Sequence, residues 1–146
     1  KTKSTYMKVL ETNLVGTFLV SRLFGDYMFD KKNGCIINIS SNNAIDSYNI
    51  NSLEYDSSKA GIINLSHNLA NNYAPYVRVN TICPGWTNTN PIKEMNPNFK
   101  ESEQKRILLN RFADPFEIAN VIYFISTEEA SYINDSVIKV DGGIRC

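Results

Sequence analysis

The sequence predicts an α/β layered fold built on a parallel sheet, and three observations lead there. Helix-like and strand-like segments alternate in the order helix, strand, helix, strand, helices, strand. Strands joined through helices run parallel, with right-handed crossovers. The strand-like segments are short and mostly apolar, as in CIINIS at 35–40, which suits a sheet covered on both faces. The 146 residues, 42% of them hydrophobic, are enough for one packed domain and unlike a disordered chain.

Residues 5–30 read as a long helix, with Met7, Leu10, Leu14 and Phe18 near the 3.6-residue spacing. Asn33-Gly34 is a turn signal that ends it. Residues 35–40 form the first strand, and 41–54 a polar loop rich in Asn and Ser. A second helix spans 55–73, with Ile62, Ile63, Leu65 and Leu69 on one side and Ala74-Pro75 closing it. VRVNTIC at 77–83 is the second strand. The stretch 84–98 is irregular and carries three of the five prolines. A short helix is expected at 101–109. Asp114-Pro115 opens another at 116–128, with proline in the favoured first turn. Residues 136–140 are the third strand, followed by an Asp141-Gly142-Gly143 turn. There is no internal repeat and no low-complexity linker.

Composition narrows the function. Fifteen basic and fifteen acidic residues balance to a net charge of zero, without a basic stripe, so nucleic acid is not an expected partner. No apolar run approaches the roughly 20 residues of a membrane span, and residues 1–10 carry no signal-like apolar segment. No membrane partner is expected. Cys35, Cys83 and Cys146 are odd in number, widely spaced and without a C-x-x-C pair. Reduced thiols in a cytoplasmic setting are the expectation, not a disulfide framework or a zinc ribbon. His67 is the one histidine, which removes most metal-site and Ser-His-Asp options; it reads as structural or solvent-facing.

The chemistry points to Tyr55 and Lys59. Residues four apart share a helix face, and an ammonium beside a phenol favours the phenolate. Such a tyrosine can serve as general acid–base for a carbonyl–alcohol pair. Alone the pair is a weak signal, since a second copy occurs at Tyr27 and Lys31. That copy ends a helix and has no strand-end serine before it, so it reads as surface. Before Tyr55, by contrast, CIINIS ends in Ser40-Ser41, and the next strand runs from Cys83 into Pro84-Gly85. In parallel α/β sheets ligands bind beyond the C-terminal strand ends. Two strand ends then deliver a hydroxyl and a Pro-Gly loop to one place, and the helix between them delivers the phenol and the ammonium.

Taken together, the chain resembles the short-chain dehydrogenase/reductase family. The resemblance is carried by NLVGTF from Asn13, GCIINISS from Gly34, YDSSKAG from Tyr55, VRVNTICPGWTNT from Val77, RFADPFEIANVIYFIS from Arg111 and VIKVDGG from Val137, in order and over nearly the whole chain. It implies the C-terminal half of an NAD(P)-binding, Rossmann-like, doubly wound parallel sheet. It implies an oxidoreductase using NAD or NADP on a carbonyl or alcohol. Tyr55 would be the proton donor or acceptor, and Lys59 would support it and bond the nicotinamide ribose. Ser41 would polarise the substrate carbonyl, with Ser40 structural. Asn13 would hold a water of the proton relay and bulge the first helix. Pro84, Gly85, the Thr87 backbone and the Thr89 side chain would line the nicotinamide carboxamide, while Asn80 braces strand and loop. Residues 90–109 would form a substrate lid.

The departures are a Ser41–Tyr55 interval about one residue long, Thr87 in place of an aliphatic residue, and Asn134-Asp135 in place of a Thr-Gly turn. The family's front T-G-x-x-x-G-x-G turn has no counterpart: the seven glycines include no G-x-G pair. Residues 1–146 are therefore expected to be a partial domain lacking the glycine-rich cofactor half, with an open apolar edge on CIINIS. Within the family, 3-oxoacyl-acyl-carrier-protein reductases and sugar or steroid alcohol dehydrogenases fit. Enoyl reductases, which space Tyr and Lys more widely, do not. A homodimer or homotetramer is expected through apolar residues beyond one stripe (Val15, Leu19 and Val20; Ile62, Ile63 and Leu65). The alternative is a catalytically inactive relic or interaction module that binds no cofactor.

Overall fold

The computed structural model describes residues 1–46 and 51–145, so residues 47–50 of the predicted loop and Cys146 lie outside the described residues. Strands β1 (Gly34–Ile39), β2 (Val77–Pro84) and β3 (Val137–Val140) form a parallel sheet in the order β1-β2-β3. Each predicted strand is present within a residue or so. β2 is central and almost wholly buried, as its apolar VRVNTIC run requires.

The helices lie on both faces. The first is α1 (Lys3–Leu10), a π-helical turn at Glu11–Val15, and α2 (Gly16–Asp30), three parts of one rod. On that face α4 (Leu53–Tyr73) also packs, around a core of Ile36, Leu69, Tyr73, Val77 and Val79. On the opposite face α7 (Pro115–Ser126) covers Ile82 with Val121, Ile122 and Ile125. Strand alternation explains the division: Val77 and Val79 point to one side, Ile82 to the other.

Several boundaries differ from the sequence expectation. The polar loop after β1 contains a short helix, α3 (Asn43–Asp46). The irregular stretch contains α5 (Asn90–Lys93). The helix expected at 101–109 is α6 (Pro97–Lys105). It starts early because Asn96 caps it, its side chain accepting from the Asn98 and Phe99 amides, with Pro97 in the first turn. It stops early because Ile107 bridges to Ile144 and residues 108–109 turn against the Gly-Gly segment instead, the amides of Leu108 and Leu109 donating to Gly143 and Gly142. Both glycines have positive φ, 75° and 67°, which only glycine adopts without strain.

The apolar stripe read on the first helix is its packing face only in part: Leu10 and Leu14 are half-buried, Leu14 against Gly61 of α4. Met7 and Phe18 are exposed, and α2 buries only Ser21 and Gly25. A Cβ at Gly25 would lie 2.3 Å from the Tyr73 ring, so glycine lets α2 come down onto α4. Ile62, read as facing outward, is 1% exposed and belongs to the core. His67 is structural as read, its Nδ1 lying 2.5 Å from Asp135 at a positive-φ turn. Asn80 braces β2, donating to the Ile133 carbonyl at 2.9 Å and accepting from the Ser136 amide at 3.1 Å.

Tyr73 locks the two helices. Its hydroxyl donates to Asp26 at 2.8 Å, and burial together with that carboxylate pushes its pKa up to about 12. A phenol whose pKa is raised in the fold adds stability that is complete below the ordinary value near 10 and is lost as pH climbs toward 12. Denaturant titrations at pH 8 and pH 11 should therefore show the native protein weakening more than Tyr73→Phe. That variant starts about 1 kcal/mol less stable at pH 8.

Candidate active site

The cleft at the C-terminal ends of β1 and β2 has a volume of about 370 Å³. Ser41, Tyr55, Lys59, Pro84 and Gly85 all line it, so these five predicted residues converge. Ile39, Asn42, Asn43 and Trp86 line it as well; the sequence reading did not single them out. Trp86 directly follows Pro84-Gly85, but nothing local in the sequence marks its role.

The strand ends are stitched together. Ser40 N–H donates to the Ile82 carbonyl at 2.8 Å, and Asn42 N–H to the Pro84 carbonyl at 3.0 Å. Ser40, structural as expected, points its hydroxyl at the Lys59 carbonyl at 2.8 Å. That bond fixes α4 above the end of β1. Lys59 answers with its ammonium, which donates to the Ile39 carbonyl at 2.9 Å. Burial lowers the Lys59 pKa. Lysine has three donors, and this anchor uses one. The same Nζ lies 5.7 Å from the centre of the Tyr55 ring. Beneath them the fully buried Cys83 thiol has its pKa raised by burial.

Ser41 is buried and held from behind. Its Oγ accepts from the Asn43 amide at 3.2 Å, while its contact with the Asn42 side-chain oxygen is long, at 3.4 Å. A hydroxyl with one firm acceptor bond and a weak outgoing one is ready to donate to a ligand oxygen.

Three predicted site residues stand outside the cleft lining. Asn13 sits in the π-helical turn, as a bulged first helix requires, and donates to Ser58 Oγ at 3.0 Å. Ser58 in turn donates to the Tyr55 carbonyl at 2.7 Å. Asn13 is thus one hydrogen-bonded residue behind Tyr55. Thr87 turns its hydroxyl back to the Gly85 carbonyl at 3.1 Å, and the Thr89 amide donates to the Thr87 carbonyl at 2.7 Å.

The Tyr27–Lys31 copy has the same local geometry, with Lys31 Nζ 5.7 Å from its ring centre. Tyr27 is 62% exposed near the end of α2 and is not among the residues lining the cleft. Helix spacing makes the pair; the strand ends make the site.

A parallel doubly wound sheet with a serine, tyrosine and lysine at its strand ends defines a class of protein, and comparison agrees. Residues 1–145 match the family described as Enoyl-(Acyl carrier protein) reductase, one of the short-chain alcohol-dehydrogenase type. The chain belongs to the short-chain dehydrogenase/reductase family. It is 38% identical over 138 residues to the 3-oxoacyl-[acyl-carrier-protein] reductase FabG of Aquifex aeolicus, covering 94% of this chain and 55% of that protein. It is 33% identical over 144 residues to a 7alpha-hydroxysteroid dehydrogenase of Paraclostridium sordellii, covering 97% and 54%. Among solved structures, a 3-oxoacyl-[acyl-carrier protein] reductase from Brucella melitensis superposes with a TM-score of 0.95 at 28% identity, covering 99% of this chain and 54% of that one. A reductase from the same organism with bound NAD gives 0.90 at 28% identity, covering 99% and 53%. The chain spans about half the length of the curated relatives it matches.

Gly85 is the tightest point of the cleft floor. A Cβ there would lie 2.8 Å from the Asp141 Cα, a backbone atom that cannot swing away. Gly85→Ala should separate β2 from β3 and cost about 1–3 kcal/mol in a urea titration. Gly16→Ala, whose Cβ would meet only a helix carbonyl at 3.8 Å, should cost nothing measurable.

Proposed function

We propose that this chain supplies the catalytic half of an NAD(P)-dependent oxidoreductase that moves a hydride between nicotinamide and a carbonyl or alcohol. The observation that carries the reading is the convergence of Ser41, Tyr55 and Lys59 with Pro84 and Gly85 in one cleft. The residues present fit the nicotinamide end of the cofactor. Pro84 and Gly85 line the cleft beside Tyr55, and Lys59 keeps donors free for ribose hydroxyls after its bond to Ile39. Thr87 and Thr89, next along the chain, are the carboxamide partners in this reading. The pyrophosphate is not provided for, since no G-x-G pair occurs. Residues 1–146 are accordingly read as the C-terminal part of a larger dinucleotide-binding unit. Bound NAD or NADP supplies or accepts the hydride.

The chain's own residues manage the oxygen and the proton. Ser41 Oγ donates a hydrogen bond to the substrate oxygen. Tyr55 gives that oxygen a proton in reduction and takes it back in oxidation. The Lys59 ammonium stabilises the negative charge left on the phenol. Asn13 braces the start of α4 through Ser58, and in this reading it holds a water of the relay that restores the proton. The substrate is a small carbonyl or alcohol, and a 3-oxoacyl thioester fits the relatives and the three-residue gap between Tyr55 and Lys59. A cytoplasmic enzyme is consistent with the absence, among the described residues, of a helix able to cross a membrane.

Self-association is part of this reading, and the surface of α2 supports it. Leu19, Val20, Leu23, Phe24 and Tyr27 of α2 are each more than half exposed and form one apolar stripe. In this reading a homodimer or homotetramer covers it. Light scattering should give a dimer or larger, and Leu23→Asp should shift it toward monomer.

The second reading, an inactive module, draws on the missing glycine turn. The two separate on NADH and NADPH fluorescence titration and on turnover of a 3-oxoacyl thioester, using the full-length gene product. Tyr55→Phe should lower kcat about 10²- to 10⁴-fold with cofactor binding retained. Absence of cofactor binding by the unmutated protein would decide for the inactive module.

A further inference from the structure

Trp86 is the chain's one tryptophan, and it stands at a junction. Its indole lines the cleft beside Tyr55 and Pro84. It also lines a smaller cavity of about 100 Å³ behind the Pro-Gly loop, with Leu109, Arg111 and Asp141. Trp86 therefore borders both cavities.

Three contacts hold it. One face stacks on Phe112, with centroids 5.5 Å apart and planes 21° apart. Phe99 of α6 meets it edge-on at 6.2 Å. Its Nε1–H donates to Glu103 Oε2, also on α6, at 3.0 Å. Glu103 is itself held by Arg106, at 2.9 and 3.1 Å. Seen from α6 the dependence is reversed. The helix buries no residue of its own, so hydrophobic burial contributes little to its docking. Phe99, Lys100 and Glu103 share one helical face, and all three reach the Trp86–Phe112 pair, Lys100 through its ammonium 5.6 Å from the Phe112 ring centre.

We propose that the Glu103–Trp86 hydrogen bond is a clamp by which α6 positions the indole as one wall of the cleft, making Trp86 a specificity-determining residue. The wall is flat and apolar, and Lys59 is the one charged side chain among the described residues of the lining. The clamp therefore selects for a substrate whose apolar body lies along the indole. This rests on the oxidoreductase reading for its substrate, but the clamp stands on geometry alone.

The test uses the unmutated chain with Glu103→Ala, Glu103→Gln and Trp86→Phe. Glutamine keeps an acceptor at the same place; phenylalanine keeps the ring and removes the N–H. Hydrogen exchange of the 97–105 amides should speed up about three- to tenfold in Glu103→Ala and Trp86→Phe, with the β1, β2 and α4 amides unchanged. Glu103→Gln should restore most of the protection. The emission of Trp86 should move to longer wavelength in Glu103→Ala and not in Glu103→Gln. Affinity is read, without turnover, from quenching of that emission by a short 3-oxoacyl thioester and by a bulkier cyclic ketone. Glu103→Ala should change the ratio of the two affinities severalfold, and Glu103→Gln should return it. Unchanged exchange in 97–105 overturns the clamp. Faster exchange with an unchanged ratio, or no quenching by either compound, overturns the specificity role. Loss of turnover in an otherwise clamped protein would count against the oxidoreductase reading instead.

Discussion

Ser40 gives its hydroxyl to the carbonyl of Lys59, and Lys59 returns its ammonium to the carbonyl of Ile39. This reciprocal pair joins the last turn of a strand to the first turns of a helix, and the rest of the site depends on it. A helix is a stiff rod, so fixing position 59 also fixes position 55 one turn away. Fixing the strand end fixes Ser41 beside it. The Ser40 bond is partly buried, where an unmade partner would be costly, while the Lys59 bond lies at the exposed end of the strand. A second buried link lower down, from Asn38 to Ser66 at 2.9 Å and from Ser21 to Asn38 at 3.0 Å, keeps the same helices from sliding along the sheet.

Small residues make this closeness achievable. Ser21, Gly25, Ser58 and Ser66 are buried where the helices meet the sheet and each other. Gly61 does the same for the π-helical turn, since a Cβ there would lie 2.8 Å from Leu14. The bulge turns Asn13 toward Ser58, and Ser58 holds the Tyr55 carbonyl. The chain thus supports its reactive tyrosine from the strand in front and from the bulged helix behind. The apolar residues displaced from these contacts are left on the outside, which is why α2 carries so much exposed hydrocarbon.

Much of this was legible from order and spacing. Tyr55, Lys59, Ser41, Pro84 and Gly85 were identifiable because each follows a recognisable strand or helix boundary. The errors also have causes. The helix expected at 101–109 lies at 97–105 because the Asn96 cap and Pro97 start it early. The outward placing of Ile62 failed because α4 is apolar on more than one side, and only the position of the sheet selects the buried one. Trp86 was passed over because an aromatic residue after a turn has no local signature of its role; the role comes from Phe99, Glu103 and Phe112, which are distant in the chain.

By itself the sequence determined the parallel α/β class, the family, and which residue types stand at the strand ends. These depend on short-range rules: periodicity, turn chemistry and capping act within a few residues and leave marks that can be read in order. The tertiary structure alone decided which face of each helix meets the sheet and which wall closes on the substrate space. Those choices are made by contacts between segments dozens of residues apart, whose energies depend on distances that no local pattern encodes.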